Sequence, residues 1–257
     1  MRRNTDQIEG ESFSPFDIWE KGGLTEHLGG IAATQTLIAE ILPSPKLHIL
    51  EVGCGTGYTS SLLAKIPGAK VTACDLLHGN LLKAKTRPRN SECNPSVQWL
   101  QADAHRLPLD ELSFQYVMLE SVLVFCNPPL VLSEIHRVLE PGGKILINEF
   151  TFLKPPPARL VSILTDRMGL CARQQEEWER LLSAAGFNSV HSSIHRFSFG
   201  NQFVTHLKVD GVGNYFRAMI AGIGDRKIRR TFFNREMLGA AKSFLPYVGY
   251  GLYSAIK

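Results

Sequence analysis

The sequence has 257 residues, of which 44% are hydrophobic and 20% are charged. These proportions are typical of a globular protein with a substantial core, and they exclude a disordered chain, a coiled coil and a collagen-like repeat. The 28 basic and 24 acidic residues leave a net charge of +4, which does not by itself indicate a nucleic-acid partner.

The N-terminal segment predicts a helical cap that precedes the main domain. Ser14-Pro15 is typical of a helix start and Gly22-Gly23 of a helix end. A second helical pattern begins near Ile31, where apolar residues recur on one face, and Pro43 ends it. We therefore expect an N-terminal helical cap over residues 1–44.

From residue 45 onwards, the pattern changes to short strands that alternate with helices. The predicted strands are Leu47–Val52, Lys70–Asp75, Val97–Gln101, Phe114–Leu119 and Lys144–Asn148. Helices are predicted around Ala64, around Leu81–Ala84 and over Pro128–Leu139. Such an alternation produces parallel strands joined by right-handed crossovers, with helices on both faces of the sheet. The predicted fold class is therefore α/β, with a doubly wound sheet.

Three further elements are predicted in the last third of the chain. Glu176–Gly186 has a helical pattern that ends in glycine, and Val190–Phe199 and Tyr247–Ile256 have the composition of strands. The segment between these two strands is helical in character, and it is too long for an unstructured loop within a compact domain.

The most informative segment is the glycine loop Glu51-Val-Gly-Cys-Gly-Thr-Gly57, which follows the first predicted strand. Glycines at this place let the backbone turn tightly and approach a ligand, and the N–H groups of a helix start favour a negatively charged partner. The dinucleotide fingerprint would require glycine in place of Tyr58, and a phosphate-binding P-loop would require a Gly-Lys-Ser/Thr sequence. The spacing therefore excludes both of these motifs.

Two carboxylates follow the next two predicted strands. Asp75 ends the second strand, 18 positions after Gly57, where nucleotide-binding folds place a carboxylate against ribose hydroxyls. Asp103 follows the third strand, at the edge of the sheet where open α/β folds bind ligands. A single Asp after a strand is usually a turn or cap residue. In combination with the glycine loop, the two residues favour a nucleoside-type ligand.

These residues, together with Arg137-Val-Leu-Glu-Pro-Gly-Gly143, resemble the class I S-adenosylmethionine (SAM) dependent methyltransferases, in particular the small-molecule, methyltransferase type 11-like branch. The resemblance covers about residues 45–150, and Glu140 stands where this branch usually has lysine. It implies a Rossmann-like doubly wound sheet of seven strands with the last strand antiparallel. It also implies that the cofactor is SAM, which becomes S-adenosylhomocysteine (SAH).

The resemblance further implies which residues bind the cofactor. They are Glu51, Gly53, Cys54, Gly55, Gly57, Asp75, Leu76, Asp103, Ala104, Glu120 and Ser121. Glu51 and the glycine loop would surround the methionine part of SAM, Asp75 would bind the ribose hydroxyls, and Leu76 would lie against the adenine. Asp103-Ala104 would pair with the adenine amino group and a ring nitrogen. Glu120-Ser121 would face the amino end of the cofactor.

The same resemblance divides the chain into parts. It implies that the insertion between the last two strands rises over the ligand pocket as a lid. The expected organisation is the helical cap over 1–44, a SAM-binding core over 45–200, a helical lid over 201–246 and the final strand of the core over 247–257.

The predicted lid is basic. Between residues 201 and 243 there are eight Lys and Arg residues but only three Asp and Glu residues. One interpretation is a solvated helix face. The other is a surface that attracts an anionic acceptor, such as a carboxylate or a phosphate, and that loses affinity as salt is added.

No catalytic constellation is evident in the sequence, and none is required for methyl transfer. The protein must mainly align the acceptor and exclude water, and a general base is needed only if the acceptor must lose a proton. The candidates for contact with the acceptor are His27, Glu149, His206 and Tyr215. No metal site is predicted.

Asn127-Pro-Pro-Leu130 is similar to the tetrapeptide with which amino-methyltransferases hold a planar nitrogen. In those enzymes it directly follows the fourth strand, whereas here it begins eight positions after Leu119 and lacks the final aromatic residue. We therefore predict that Asn127 is a helix N-cap with Pro128 in the first turn, and that base methylation in DNA is disfavoured.

The favoured hypothesis is methyl transfer from SAM to a small-molecule acceptor by in-line displacement. One alternative is an RNA or protein methyltransferase, which draws on the basic lid and on Lys83–Arg89, although no appended RNA-binding module is evident and nucleic acid is not the expected partner. Another is a non-catalytic SAM-binding scaffold.

The five cysteines include no Cys-x-x-Cys pair, and no apolar run is long enough to span a membrane, so a cytoplasmic protein with reduced thiols is expected.

Overall fold

The structure is a computed structural model that describes residues 28–86, 97–197 and 243–257. Its helices are α1 Ile31–Ile38, α2 Tyr58–Leu63, α3 His78–Thr86, α4 Pro128–Val138, α5 Ala158–Ser162 and α6 Gln175–Ala184. Its strands are β1 Leu47–Val52, β2 Ala69–Asp75, β3 Val97–Gln101, β4 Phe114–Glu120, β5 Leu139–Phe152, β6 Arg173–Gln174, β7 Asn188–Arg196 and β8 Val248–Ile256. Short 3₁₀ turns cover Leu123–Phe125 and Leu245–Tyr247, and a π-helical turn, Ile163–Arg167, follows α5.

The strands form one sheet in the order β3-β2-β1-β4-β5-β8-β7, and the two-residue strand β6 pairs with the end of β5. Strands β1 to β5 pair in parallel, whereas β8 is antiparallel to both β5 and β7. The predicted Rossmann-like sheet with an antiparallel last strand is thus confirmed. The strand order reverses between β1 and β4, and ligands of open α/β sheets bind at such a switch point.

Both faces of the central strands are buried, which explains their nearly continuous apolar sequences. Successive side chains of a strand point to opposite faces. Accordingly, Leu50 and Val117 belong to one hydrophobic cluster, whereas their neighbours Ile49 and Met118 belong to the other. Burial of a side chain of this size stabilises the folded state by roughly 1.5–3 kcal/mol. The two clusters, one on each face of the sheet, therefore hold in place the strand ends that carry the polar residues.

β5 is longer than the predicted strand over Lys144–Asn148. It begins at Leu139, directly after α4, and runs to Phe152. The extension beyond Asn148 has its reason in the antiparallel partner, since β8 pairs with β5 continuously from Lys144 to Phe152, and at the other end Leu139 pairs with Phe114 of β4. The α5 helix and the π-helical turn that follow were not predicted.

The predicted helix over residues 14–22 and most of the predicted lid over 201–246 lie outside the described residues. The predicted helix that begins near Ile31 is confirmed as α1, which packs Leu37 into the core. The residues before α1 contact the sheet, because the Asn148 side-chain amide donates to the carbonyl oxygen of Leu28 at 2.8 Å. Within the described ranges, no helix has the length and apolar character needed to cross a membrane.

Gly29 offers a test of how closely this segment must approach the sheet. It has a φ of +75°, and a Cβ atom added there would lie 2.2 Å from Cζ of Tyr250. Gly142 has nearly the same φ, +77°, but nothing within 4 Å of an added Cβ. Both alanine variants incur the cost of a left-handed residue, and only Gly29→Ala adds overpacking. We expect Gly29→Ala to lower the unfolding free energy by about 1–3 kcal/mol more than Gly142→Ala, as measured by urea denaturation. Equal losses would contradict the close approach.

Candidate active site

A cavity of about 620 Å³ opens at the carboxyl ends of the parallel strands, and its volume lies within the range of small-molecule sites. Of the predicted cofactor residues, the structure brings ten to its lining: Glu51, Gly53, Cys54, Gly55, Asp75, Leu76, Asp103, Ala104, Glu120 and Ser121. Gly57 does not line the cavity. It is the N-cap residue of α2, and its N–H donates to the carbonyl oxygen of Cys54 at 2.9 Å.

The glycine loop turns from β1 into α2 through left-handed conformations. Gly53, Gly55 and Gly57 have φ values of +73°, +51° and +76°, which other residues rarely adopt. A Cβ at Gly53 would lie 2.4 Å from Cγ2 of Val122, so the protein itself requires glycine at this position. A Cβ at Gly55 would meet no protein atom within 4 Å. The loop therefore leaves space beside Gly55 that a side chain would fill.

Asp75 is held in one orientation by three donors. Its Oδ2 accepts the backbone N–H of Gly55 at 2.8 Å, and its Oδ1 accepts the N–H of Leu77 at 2.8 Å. The side chain of Asn80 also donates to Oδ1, at 3.2 Å. Asn80 lines the cavity too, and it was missed in the sequence because a single Asn within a helix carries no distinctive pattern.

Glu51 is a buried acid at the end of β1. Burial raises its pKa to about 8, and the negative charges of Glu120 and Asp75 add to the rise, while a hydrogen bond donated by the Ser60 hydroxyl opposes it. At neutral pH the Glu51 carboxyl therefore holds its proton unless a positive charge is placed beside it.

Glu120 joins four elements around the cavity. Its Oε1 accepts from the Thr34 hydroxyl of α1 at 2.7 Å and from the Asn148 amide of β5 at 3.3 Å. Its Oε2 accepts from the Thr59 hydroxyl of α2 at 2.8 Å. Because Glu120 itself ends β4, these bonds tie the N-terminal helix and the helix after the glycine loop to the centre of the sheet.

Ser121, in the lining of the cavity, has two energetically unfavourable features. Its φ is +59°, in the left-handed region, and its hydroxyl is buried without a hydrogen-bond partner in the described part of the chain. Its backbone N–H donates to the carbonyl oxygen of Asn148 at 2.8 Å. Residues held in such unfavourable conformations concentrate at ligand sites, where the surrounding structure enforces them.

His105 connects Asp103 to the start of α4. The Asp103 Oδ1 atom accepts from the backbone N–H of His105 at 2.9 Å and from its Nδ1 at 2.6 Å, and these bonds lower the pKa of Asp103. The backbone N–H of Asn127 donates to Nε2 of His105 at 3.0 Å, which assigns the ring proton to Nδ1. The predicted N-cap position of Asn127, with Pro128 in the first turn, is confirmed, although the Asn127 side chain makes no cap bond.

The position of Glu149 differs from the prediction. The sequence places it just past the fifth strand, where it is a candidate for contact with the acceptor. Since β5 continues to Phe152, Glu149 lies within the strand, fully buried and outside the lining of the cavity. Its Oε2 accepts the N–H of Leu123 at 2.7 Å and its Oε1 that of Phe150 at 2.9 Å. Burial raises the pKa of Glu149 to about 7.

The other candidates for contact with the acceptor, His27, His206 and Tyr215, lie outside the described residues. Among the residues that are described, no group of three or more His, Cys, Asp or Glu side chains could hold a metal ion. The cysteines near the cavity are poor metal ligands, since burial raises the pKa of Cys74 to about 12 and that of Cys126 to about 11.

Known proteins share sequence with this chain. A family profile described as a methyltransferase domain matches residues 50–147. The uncharacterized methyltransferase YodH of Bacillus subtilis (strain 168) is 35% identical over 167 residues, which cover 65% of this chain and 70% of YodH. The ubiquinone/menaquinone biosynthesis C-methyltransferase UbiE of Paracoccus denitrificans (strain Pd 1222) is 28% identical over 184 residues, which cover 67% of this chain and 69% of UbiE.

The fold is also shared with a solved structure. Phosphoethanolamine N-methyltransferase 2 of Haemonchus contortus, in complex with SAM, has a TM-score of 0.74 and 17% sequence identity. The superposition covers 100% of this chain and 60% of that enzyme, so this chain spans less than two thirds of its length. At this identity, the likeness establishes the fold.

The buried acid at the end of β1 predicts how stability depends on pH. A folded-state pKa of about 8 for Glu51, above the unfolded value of 4.5, means that the folded state binds more protons between these pH values. The unfolding free energy therefore falls as pH rises through this window. In urea denaturation without cofactor, we expect the unfolding free energy of Glu51→Gln to decrease less between pH 6 and 9 than that of the wild type. The decrease that remains in this variant is attributed to Glu149.

The matched control is Glu111→Gln, on an exposed residue away from the cavity. It should keep the pH dependence of the wild type. If Glu51→Gln does the same, the carboxyl of Glu51 is already ionised in the folded protein.

Proposed function

The chain belongs to the class I SAM-dependent methyltransferases, and on this basis we propose that it methylates a small-molecule acceptor by in-line displacement. The observation that carries the proposal is that ten of the residues expected to bind the cofactor line a single cavity, which also has an apolar part that no cofactor residue occupies. An acceptor within that cavity would lie beside the cofactor and away from bulk water, as the reaction requires.

We assign the ribose hydroxyls to Asp75. Its two oxygens accept bonds from Gly55, Leu77 and Asn80, and carboxylate oxygens have further lone pairs with which they can accept ligand donors. We assign the adenine amino group to Oδ2 of Asp103, because His105 already occupies Oδ1. His105 would then position Asp103 through these bonds.

The charge of the site supports a cationic ligand at its acidic end. When bound, SAM supplies an electrophilic methyl group on a positively charged sulfur. Glu51, Asp75 and Glu120 bring three carboxyl groups to this end, and each is more stable as an anion when a cation is near. The space beside Gly55 admits a ligand close to the backbone. The donor set and the shape of the loop thus fit SAM.

The name of one relative favours a small-molecule acceptor over RNA or protein, since UbiE is named for quinone biosynthesis, which concerns small molecules. The segments on which the macromolecular alternative depends, 201–243 and Lys83–Arg89, lie mostly outside the described residues. We also infer a cytoplasmic location, which the free thiols of Cys54, Cys74, Cys126 and Cys171 support.

Transfer of label from radioactive SAM separates the alternatives. We expect label in the small-molecule fraction of a cell extract incubated with the purified protein, and background label in the RNA and protein fractions. Label confined to RNA or protein would overturn the proposed acceptor class. SAM binding by calorimetry without transfer to any fraction would favour a non-catalytic scaffold.

Removal of the Asp75 carboxylate should weaken cofactor binding. Charge-assisted hydrogen bonds contribute about 1.5–3 kcal/mol, so Asp75→Ala should lower SAM affinity roughly 10–150-fold in calorimetry. Asp110→Ala, on an exposed residue outside the cavity lining, should leave affinity unchanged. Circular dichroism verifies that both variants are folded. A folded Asp75→Ala protein with wild-type SAM affinity would refute the assignment.

The ionisation of Glu51 should distinguish SAM from its product. Because the pKa of Glu51 is about 8 without ligand, more of it is ionised as pH rises from 6.5 to 8. SAM carries the sulfonium charge and SAH does not, so the affinity for SAM should rise relative to that for SAH by up to an order of magnitude across this range. In Glu51→Gln, the ratio of the two affinities should not change with pH. A wild-type ratio that is constant with pH would contradict the coupling.

A further inference from the structure

The cavity has two sides of different chemistry, and we propose that the acceptor is an uncharged, predominantly hydrocarbon molecule that binds on the side away from Asp75. This inference rests on the proposed function, since it concerns the part of the cavity left for the acceptor. That part of the cavity is lined mainly by residues from the β5, β8 and β7 side of the sheet.

The strand order separates the two sides. Asp75 ends β2, whereas Val248 begins β8, and the strands β1, β4 and β5 lie between them. Neighbouring strands are about 4.8 Å apart, so these two residues stand on opposite sides of the cavity. Glu51 is the penultimate residue of β1, next to β2, and Glu120 ends β4, midway between β2 and β8. The carboxyl groups of the described lining therefore extend from the Asp75 side to the middle of the sheet, and none of them lies on the β5 and β8 side.

The other side is apolar. Six of the residues that line it are Val124, Phe150, Met168, Leu170, Phe197 and Val248. They come from five separate parts of the chain: the turn after β4, the last part of β5, the segment after the π-helical turn, the end of β7 and the start of β8. The rings of Phe150 and Phe197 contact each other, with their centroids 5.6 Å apart and their planes tilted by 51°. Together these six residues form the apolar part of the described lining, which we call the apolar wall.

The charges around the cavity disfavour an anionic acceptor. Within the described lining, the charged side chains are Glu51, Asp75, Asp103 and Glu120, all acidic, and neither Lys nor Arg is among them. A buried anion without a paired cation is strongly unfavourable, and here it would also be repelled. The described lining therefore gives no support to the anionic acceptor suggested by the basic segment 201–243, which lies almost wholly outside the described residues.

Two polar groups near the cavity are already paired, whereas the Ser121 hydroxyl, next to Glu120, has no partner among the described residues. The Glu149 carboxyl accepts backbone N–H groups, and the ring of His105 is hydrogen-bonded at both nitrogens. The Cys126 thiol has its pKa raised to about 11 by burial. A hydrocarbon body would lose no hydrogen bond to these groups on entering, whereas a polar body would leave its own groups unpaired. Shape and apolar contact would thus select the acceptor.

Two fluorescent probes that differ by one charged group test the inference. N-phenyl-1-naphthylamine is uncharged, and 8-anilino-1-naphthalenesulfonate has the same rings with a sulfonate. Each is titrated into the full chain with saturating SAH present. We expect the uncharged probe to bind at least about tenfold more tightly, because the described lining places only carboxyl groups, and neither Lys nor Arg, near a buried sulfonate. Equal or tighter binding of the sulfonate probe would overturn the inference.

Variants locate the binding site. Phe150→Ala and Met168→Gln should each weaken binding of the uncharged probe by about tenfold, since they remove apolar surface or add a polar group. The control Leu130→Gln makes a comparable change at an exposed residue outside the lining. It should have no effect. Unchanged probe affinity in both cavity variants would refute the apolar wall as the site.

Calorimetry with SAH on the same proteins distinguishes this inference from the function on which it rests. We expect SAH affinity to stay within about twofold of the wild type in all three variants, because none of them alters the acidic side. If SAH binds but the uncharged probe does not, the acceptor class is wrong and the methyltransferase assignment stands. If SAH fails to bind the wild-type protein, the proposed function fails, and this inference fails with it.

Discussion

Three carboxyl groups crowd the ends of β1, β2 and β4, and the candidate active site depends on how the fold holds them there. Burial is the main reason that the pKa of Glu51 rises, and repulsion from Glu120 and Asp75 adds to it. Each group is held by donors from other segments: Ser60 for Glu51; Gly55, Leu77 and Asn80 for Asp75; Thr34, Thr59 and Asn148 for Glu120. A cationic ligand would relieve the repulsion that these donors only partly offset.

Glu149 joins two of the segments that form the apolar wall. Its carboxyl accepts from the N–H of Leu123, in the turn after β4, and from the N–H of Phe150, on β5. Both segments contribute residues to the apolar wall, so one buried group sets the relative position of the residues that would face the acceptor. Truncation of such a group would leave several buried N–H donors unpaired, which is costly. Its importance is therefore structural, although its sequence position suggested a contact with the acceptor.

Patterns local in sequence were sufficient for much of the fold. The bounds of β1 and β3 agree with the prediction, because short apolar segments that end in glycine or polar residues indicate strands directly. The glycine loop and the Asp after β2 indicated the position of the cavity, because consecutive parallel strands end at one edge of the sheet. The length of β5 could not be predicted in this way. It depends on pairing with β8, which is remote in sequence, and the role of Glu149 changed with it.

The sequence alone determined the fold class and the edge of the sheet where ligands bind, since both follow from residue types at fixed spacing along consecutive elements, and its resemblance to the class I SAM-dependent methyltransferases implied the cofactor. Only the tertiary structure decided which side chains share the cavity, which of them are buried or hydrogen-bonded, and how their pKa values shift. It raised the pKa of Glu51 by burial, paired His105 with Asp103, buried Glu149 beneath the turn after β4, and brought Phe150, Phe197 and Val248 to one side. These outcomes depend on contacts between residues distant in the chain, which no local pattern specifies.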